Sequence, residues 1–377
     1  MKEAAAAVRN NLYVDDYLGS SKDVETGAWI ALAVKNVLAD GDFHLQRWTP
    51  NSPQFRAIVQ AADTSPDVED KPHSFGDADT EMVLGVIWRP SRDTLSFKIS
   101  GLNSVVYTRV GLISKVASIL YPQGAAAPIT VKGKNRLREL GVKGLEWNVE
   151  VTGEERHWWQ QWFSTLYQLQ DVEFPRCLFP NEDCIVRVEL HTFCDASEEA
   201  YAAVSYIRNV YEDRNIVVRQ VKAGNKLAPT KTLSIPKLEL NAALLEARLA
   251  QFFKRALTYH VHGRYFWTDS STVRNWVRAT ASFYQIFVSH QVGETQTLTE
   301  PKEWRFVPGK INPADAATRS QLESEAIPIS WLDGPEFLYQ TERCWPKDLP
   351  WMAVTEELRP SRVHTTTTLP AFDWETF

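Results

Sequence analysis

The sequence has no stretch of about 18 consecutive apolar residues, the length that a helix needs to cross a lipid bilayer. Its first residues, MKEAAAAVRNN, carry charge early and lack the apolar core of a secretion signal. Cysteine is scarce, and the four cysteines form no CxxC pair and no zinc-like spacing with histidine, which argues against disulfide or zinc stapling. We therefore expect an intracellular protein, in a cytoplasmic particle or the nucleus, that is not secreted and has no membrane partner.

The composition is that of a folded protein. Hydrophobic residues make up 44% and charged residues 23% of the 377 positions, and 14 tryptophans supply large apolar side chains. Because a chain of this length exceeds one typical domain, we expect two domains with connecting segments.

Basic residues are concentrated in two stretches, although the whole chain has a formal net charge of -6. The stretch 109–143 has seven basic residues and one acid, and the stretch 214–237 has six basic residues and no acid. One such run is usually a solvated surface, but two runs beside carboxylate motifs favour a surface that neutralises phosphates. The candidate nucleic-acid-binding residues are Lys132, Lys134, Arg136, Arg138, Arg219, Lys222, Lys226 and Lys231.

The N-terminal region alternates short strand patterns with helix. Residues 11–20, NLYVDDYLGS, predict two strands joined by a tight turn that carries Asp15 and Asp16. The elements predicted after this turn are a helix at about 25–38 and strands at 82–88 and 94–99.

The pattern changes twice in the rest of the chain. Residues 107–169 are mostly helical and basic, with breaks at Pro122 and Pro128, which predicts a separate helical subdomain. After Cys184 the element order becomes βββαβαβα, which indicates a mixed α/β sheet of five strands. The predicted strands are 186–194, 201–207, 216–221, 264–268 and 303–307.

The long helix after the third of these strands has a helical apolar stripe and a clear start. Ser234 can cap it and Pro236 suits its first turn. The stripe residues, at spacings of four, three, four and three, are Leu238, Ala242, Leu245, Leu249 and Phe252. Residues 321–377 are Pro-rich without a sustained period, which predicts a linker or tail.

Four acids fall where strands end or helices begin. Asp195 and Asp269 end strands, and Glu239 and Asp315 lie in first helical turns, at successive spacings of 44, 30 and 46 residues. Ligand sites in α/β sheets gather at these ends, so the four acids can converge. Their repulsion would be relieved by divalent cations, and Mg²⁺ prefers such oxygen ligands. The spacing thus indicates two Mg²⁺ ions, with Mn²⁺ as substitute, about 4 Å apart as in two-metal nucleases.

Each acid taken singly has a structural alternative, because acids often cap helices and form turns. Four acids at suitable element boundaries make that coincidence less plausible. Glu246 competes with Glu239, since it lies seven residues further along the same helix. We favour Glu239 because it is nearer to the helix start.

A resemblance to a known family rests on four segments: FCDASEEAYAAVSY, KLAPTKTLSIPKLELNAALLEARL, FWTDSSTV and WRFVPGKINPADAATRS. They resemble the ribonuclease H region of BEL/Pao long-terminal-repeat retrotransposon polyproteins, a region that family nomenclature also calls Pao retrotransposon peptidase. YVDD resembles a reverse-transcriptase palm hairpin, and VGLISKVASILYPQGAAAPITVKGKNRLREL resembles the segment that joins polymerase to nuclease. The resemblance covers roughly residues 8–345. One departure is Tyr121-Pro122-Gln123-Gly124, where an Asp-Pro-Leu-Gly-like turn is expected.

The resemblance implies a domain order and a partner. It implies a partial reverse-transcriptase palm at 1–105, a helical thumb or connection at 106–183, a ribonuclease H-like domain at 184–320 and a linker or tail at 321–377. By motif, the catalytic acids carry over onto Asp195, Glu239, Asp269 and Asp315. The implied substrate is an RNA/DNA hybrid, and the implied partner is the rest of the polyprotein.

The palm-like part is expected to be incomplete. Asp15 and Asp16 would be its metal ligands, but such a polymerase also needs an earlier Asp and fingers, and only fourteen residues precede Asp15. We therefore expect no primer extension by this chain alone.

Three functions compete at this point. The first is hydrolysis of the RNA strand of an RNA/DNA hybrid. The second is non-catalytic nucleic-acid binding by a remnant of a decayed or domesticated element. The third is an aspartic peptidase, which ranks last because Asp-Thr-Gly and Asp-Ser-Gly are absent and Asp269-Ser270-Ser271 is the nearest approach.

Overall fold

The computed structural model describes residues 2–14, 16–45, 48–62, 79–121, 123–257, 259–319 and 327–360. In these residues no helix is both long enough and apolar enough to cross a membrane.

The N-terminal unit consists of three helices and a small hairpin. Its elements are α1 (Lys2–Asn11), β1 (Leu12–Tyr13), β2 (Asp16–Tyr17), α2 (Val24–Ala39) and α3 (Pro53–Ala62). The hairpin occurs where the sequence predicts it, and Asp16 is an exposed residue of β2, whereas Asp15 lies outside the described residues. Helix α2 begins at the predicted place because the carboxylate of Asp23 accepts from the backbone N–H of Thr26 at 2.7 Å.

A four-stranded antiparallel sheet follows. Its strands are β3 (Glu81–Val83), β4 (Val86–Arg89), β5 (Thr94–Phe97) and β6 (Glu173–Pro175). The single strand predicted at 82–88 is a hairpin, because Leu84 and Gly85 both have positive φ and turn the chain back. Strand β6 pairs with β5 in the register Leu95 to Phe174, so the boundary predicted at residue 105 cuts through one sheet.

The middle segment contains the helices α4 (Arg109–Ala117), α5 (Ala127–Val142) and α6 (Gly153–Tyr167). Pro128 was predicted to break helix, but it lies in the first turn of α5, where proline loses no hydrogen bond. Helices α5 and α6 pack closely at Gly133, where a Cβ would lie only 2.6 Å from the indole of Trp162. That indole donates to the carbonyl of Ile129 at 3.0 Å.

The predicted five-stranded mixed sheet is confirmed. Its order is β11–β10–β7–β8–β9, with antiparallel pairs among β7, β8 and β9 and parallel pairs joining β7, β10 and β11. The last predicted helix is instead a short 3₁₀ helix, Pro313–Ala317. The elements are β7 (Ile185–Ala196), β8 (Ala200–Tyr211), β9 (Ile216–Leu227), α7 (Ile235–Ala256), β10 (Gly263–Thr268), α8 (Ser271–Arg278), α9 (Ile286–Leu298) and β11 (Trp304–Phe306).

Helices α7, α8 and α9 cover one face of this sheet. The apolar stripe predicted for α7 is partly wrong, because Phe252 is 50% exposed while Phe253 is buried. Alanines such as Ala243 and Ala250 bury fully, which shows that the helix contacts its neighbours through small residues.

The opposite face is covered by helix α5 and by the C-terminal segment, which includes α10 (Ile329–Asp333). The linker predicted from residue 321 is therefore wrong over 327–349. Trp331 is fully buried there, and Arg208 donates to the carbonyls of Leu338 and Gln340 at 2.6 and 2.8 Å. The segment is fixed again at Asp348, whose carboxylate accepts from Arg274, Arg278 and a backbone N–H.

Candidate active site

The four predicted acids lie at one end of the five-stranded sheet. Asp195 is the last residue but one of β7, and Asp269 directly follows β10. Glu239 is near the start of α7, and Asp315 is in the 3₁₀ helix 313–317. Their charges interact: those of Asp195 and Glu239 raise the pKa of Asp269, and that of Asp315 raises the pKa of Asp195. The sheet ends thus bring together residues that are up to 120 positions apart in sequence.

Burial and mutual repulsion disfavour ionisation of these carboxyls. Burial, together with the charges of Asp195 and Glu239, raises the pKa of Asp269 to about 7. Burial also raises the pKa of Asp195 and of Glu239, against opposing hydrogen bonds from Thr318 and Ser270 respectively. The cluster therefore carries negative charge that the protein neutralises only in part, which is the property of a cation site.

Each acid has its own local donor. The hydroxyl of Thr318 donates to Asp195 at 2.7 Å, and Arg319 pairs with Asp315 at 2.6 Å. Ser270 lowers the pKa of Glu239 and Asn312 lowers the pKa of Asp269, in each case against the larger effect of burial. Within the described ranges, no three acidic, histidine or cysteine side chains lie close enough to share one metal ion. The donor set itself, which consists of carboxylate oxygens, is the chemistry that suits Mg²⁺.

Glu246, the sequence competitor of Glu239, lies elsewhere. Its side chain is 0% exposed, and Oε1 accepts from the backbone N–H of Trp267 at 3.1 Å. Burial raises the pKa of Glu246 well above its ordinary value. Burial thus favours the protonated form of this carboxyl, which belongs to the packing between α7 and β10.

We expect Glu246→Gln to become progressively more stable than the parent as pH rises. In the parent, the folded state keeps a proton that the unfolded state releases above about pH 4.5, so stability falls with rising pH. The variant lacks this titration, and its relative stability should grow by up to about 1.4 kcal/mol per pH unit. Urea unfolding of both proteins at pH 5 and pH 8 measures this. An identical difference at the two pH values would mean that the folded state does not hold this proton.

The predicted basic residues on α5 are largely engaged by the protein. Lys132 is only 5% exposed, and Lys134 bonds the hydroxyl of Tyr121 at 2.7 Å. Arg136 forms a bidentate pair with Glu155, and Arg138 donates to the carbonyls of Glu199 and Ala228. They point inward because α5 packs against α6 and β9. On this helix the basic run serves the fold.

The second basic stretch is more open. Arg219 is directed to the carbonyl of Cys177, but Lys226 and Lys231 are exposed. Lys222 lies over the half-exposed ring of Phe252 at 4.3 Å, which leaves its ammonium group at the surface.

Two residues that act on the acids were not predicted from the sequence. The side chain of Asn312 donates to the carbonyl of Cys194, directly before Asp195, and it lowers the pKa of Asp269. Thr318 gave no signal, because a threonine hydroxyl can bond many neighbours and Asp195 is 123 positions away.

An α/β domain with a five-stranded mixed sheet and acids clustered at one sheet end is the class that the fold and the site define. Within that class, residues 108–270 match the family model described as Pao retrotransposon-like RNaseH-like domain. Asp195, Glu239 and Asp269 lie inside the matched range and Asp315 lies beyond it. The similarity to this family thus extends over residues 108–270, which is less than half of the chain.

Two solved structures are similar to part of the chain. The N-terminal RNase H domain of a Mycobacterium tuberculosis protein, fused to maltose binding protein, is 14% identical with a TM-score of 0.25, covering 35% of this chain and 93% of that one. RNase H1 of the halophilic archaeon Halobacterium salinarum is 18% identical with a TM-score of 0.24, again covering 35% and 93%. A comparison with curated protein sequences gave no match.

Proposed function

We propose that this protein hydrolyses the RNA strand of RNA/DNA hybrids with two divalent cations, Mg²⁺ or Mn²⁺. The observation that carries the proposal is the cluster of Asp195, Glu239, Asp269 and Asp315 at one sheet end, where neighbouring carboxylates and burial raise the pKa of Asp269 to about 7. Such a cluster is relieved by cations, and the family match covers three of its four members.

The roles of the acids follow from their positions. Asp195 and Asp269 lie at the carboxyl ends of the adjacent parallel strands β7 and β10 and would hold the cations. Asp315 would be a further ligand. Glu239, on the helix that faces them, would orient the attacking water. When bound, two cations supply a nucleophilic water at neutral pH and stabilise the leaving oxygen.

The hybrid backbone would be bound by the open part of the second basic stretch. Lys226 is exposed at the end of β9, and Lys231 is exposed between β9 and α7, the helix that carries Glu239. This proposal leaves α5 out of the contact surface, because its basic side chains are bonded within the protein.

We expect the double variant Lys226→Ala/Lys231→Ala to bind hybrid more weakly and with less dependence on salt. Each lost phosphate contact should flatten the slope of log K against log salt by about one unit. Fluorescence anisotropy at several salt concentrations measures this. Lys302→Ala is the matched control, since this exposed lysine precedes β11 and so lies at the opposite end of the sheet. Equal slopes for the double variant and the control would contradict the assignment.

The wider setting is also a proposal. The chain would be part of a retrotransposon polyprotein in which residues 1–105 are a reverse-transcriptase palm remnant, with Asp15 and Asp16 as its acids. The remaining polymerase part would then be the partner, and this chain alone would not extend a primer.

The test of the proposed function is a cleavage assay with the whole chain and a hybrid whose two strands carry different labels. RNA should be cut only with Mg²⁺ or Mn²⁺, and the DNA strand should stay intact. Hybrid binding without cleavage in either metal would instead favour the non-catalytic remnant. Equal cutting of both strands would remove the ribonuclease H assignment.

A further inference from the structure

The segment 312–318 crosses the end of the sheet and contacts the strand that carries Asp195. At its start, Asn312 is 5% exposed and its amide nitrogen donates to the carbonyl of Cys194 at 2.9 Å, one residue before Asp195. The oxygen of the same side chain accepts from the backbone N–H of Ala314 at 3.2 Å. Asn312 therefore joins the end of β7 to the 3₁₀ helix 313–317.

At the other end of the segment, Thr318 is 0% exposed. Its hydroxyl lies 2.7 Å from Oδ2 of Asp195 and 3.0 Å from the carbonyl oxygen of Asp315. The hydroxyl has one proton, and the Asp315 carbonyl already accepts the backbone N–H of Thr318 at 3.2 Å. A carboxylate is also the stronger acceptor, so the proton is directed to Asp195.

The backbone of Thr318 is fixed as well. Its carbonyl accepts from the hydroxyl of Ser197 at 2.7 Å, and Ser197 lies in the turn that links β7 to β8. The Thr318 hydroxyl is therefore held against β7 from two directions, through its own helix and through this turn.

We propose that segment 312–318 is a positioning element, in which Asn312 fixes the segment to β7 and Thr318 orients Asp195, while Asp315 is presented from between them. This inference rests on the proposed function, because it assigns a purpose to the orientation of the acids. Hydrogen bonds to metal-binding carboxylates fix the ligand oxygens, and their loss typically weakens metal affinity or activity about 10- to 100-fold.

The decisive variant is Thr318→Val, which keeps the shape of the side chain and removes the hydroxyl. Binding of Mn²⁺, measured by titration calorimetry without nucleic acid, should weaken about 10- to 100-fold, and cleavage should need correspondingly more metal. Thr318→Ser retains the hydroxyl and should restore both. The matched control is Thr295→Val, since Thr295 is equally buried but its hydroxyl donates to the carbonyl of Gln291 within α9.

A double-mutant cycle in EDTA tests the contact without metal. The shifts in unfolding midpoint caused by Thr318→Val and Asp195→Ala should be non-additive, because each removes one partner of the same bond. Additive shifts would overturn the proposal, as would unchanged Mn²⁺ affinity in Thr318→Val. The shifts could also be non-additive while the unsubstituted protein neither binds Mn²⁺ nor cuts hybrid. That result would support the Thr318 contact and would contradict only the proposed function.

Discussion

Replacing Glu239 by Gln is expected to lower the rate of hybrid cleavage by about 10²- to 10³-fold, the range for losing one group that stabilises charge in a reaction. The amide keeps the shape of the side chain but removes the negative charge that the proposed cations require. Hybrid affinity should stay within about twofold of the parent, because binding is assigned to exposed lysines. Single-turnover cleavage with excess protein separates the chemical step from binding.

Glu246→Gln is the matched control for this experiment. It makes the same chemical change on the same helix, but at a carboxyl that is buried between α7 and β10 and whose pKa is raised by this burial. Its cleavage rate should equal that of the parent. If Glu246→Gln lost activity and Glu239→Gln did not, the choice of Glu239 would be wrong.

The placement of the acids could be predicted because it depends on local pattern. Strand patterns predicted ends at residues 194 and 268, and the structure ends β7 at Ala196 and β10 at Thr268. Asp195 and Asp269 therefore had to lie at strand ends, and parallel strands share their carboxyl edge.

Several features that were not predicted from the sequence depend on distant contacts. Strand β6 pairs with β5 across the whole helical segment, and residues 327–349 contact the sheet, the carbonyl of Ala125 and the side chain of Arg274. The stripe on α7 was misplaced at Phe252 and Phe253 because the helix packs against both the sheet and α9. Periodicity identifies one apolar face, but it does not show how many neighbours a helix has.

The predicted ribonuclease H-like domain shares a hydrophobic core with the segments before and after it. One face of its sheet contributes Phe193, Tyr206 and Trp267 to a core that also contains residues of α5 and Trp331. The loop that precedes α5 lies close to β9, since a Cβ on Gly124 would lie 2.0 Å from the carbonyl oxygen of Ala223. The backbone N–H of Ala223 also donates to the carbonyl of Gln123 at 2.7 Å, so this loop is bonded directly to the strand.

We therefore expect a chain limited to residues 184–320 to show no cooperative unfolding transition. It would expose Phe193, Tyr206 and Trp267, each fully buried in the whole protein, and burying one such side chain is worth about 1.5–3 kcal/mol. The free energy of unfolding of a domain is only about 5–15 kcal/mol, and exposing all three side chains would lower it by a comparable amount. Circular dichroism during urea titration measures the transition, and binding of a hydrophobic dye reports the exposed face.

A chain of residues 79–360 is the control, because it retains α5, the four-stranded sheet and the C-terminal segment that cover this face. It should unfold in one transition and keep the cleavage activity of the whole protein. The carbonyl of Ala125 accepts from the indole of Trp331 at 2.8 Å, so the two coverings also bond each other and neither is a free linker. If residues 184–320 alone unfolded cooperatively with the stability of 79–360, the two coverings would be accessory and the boundary at 184 would mark an independent folding unit.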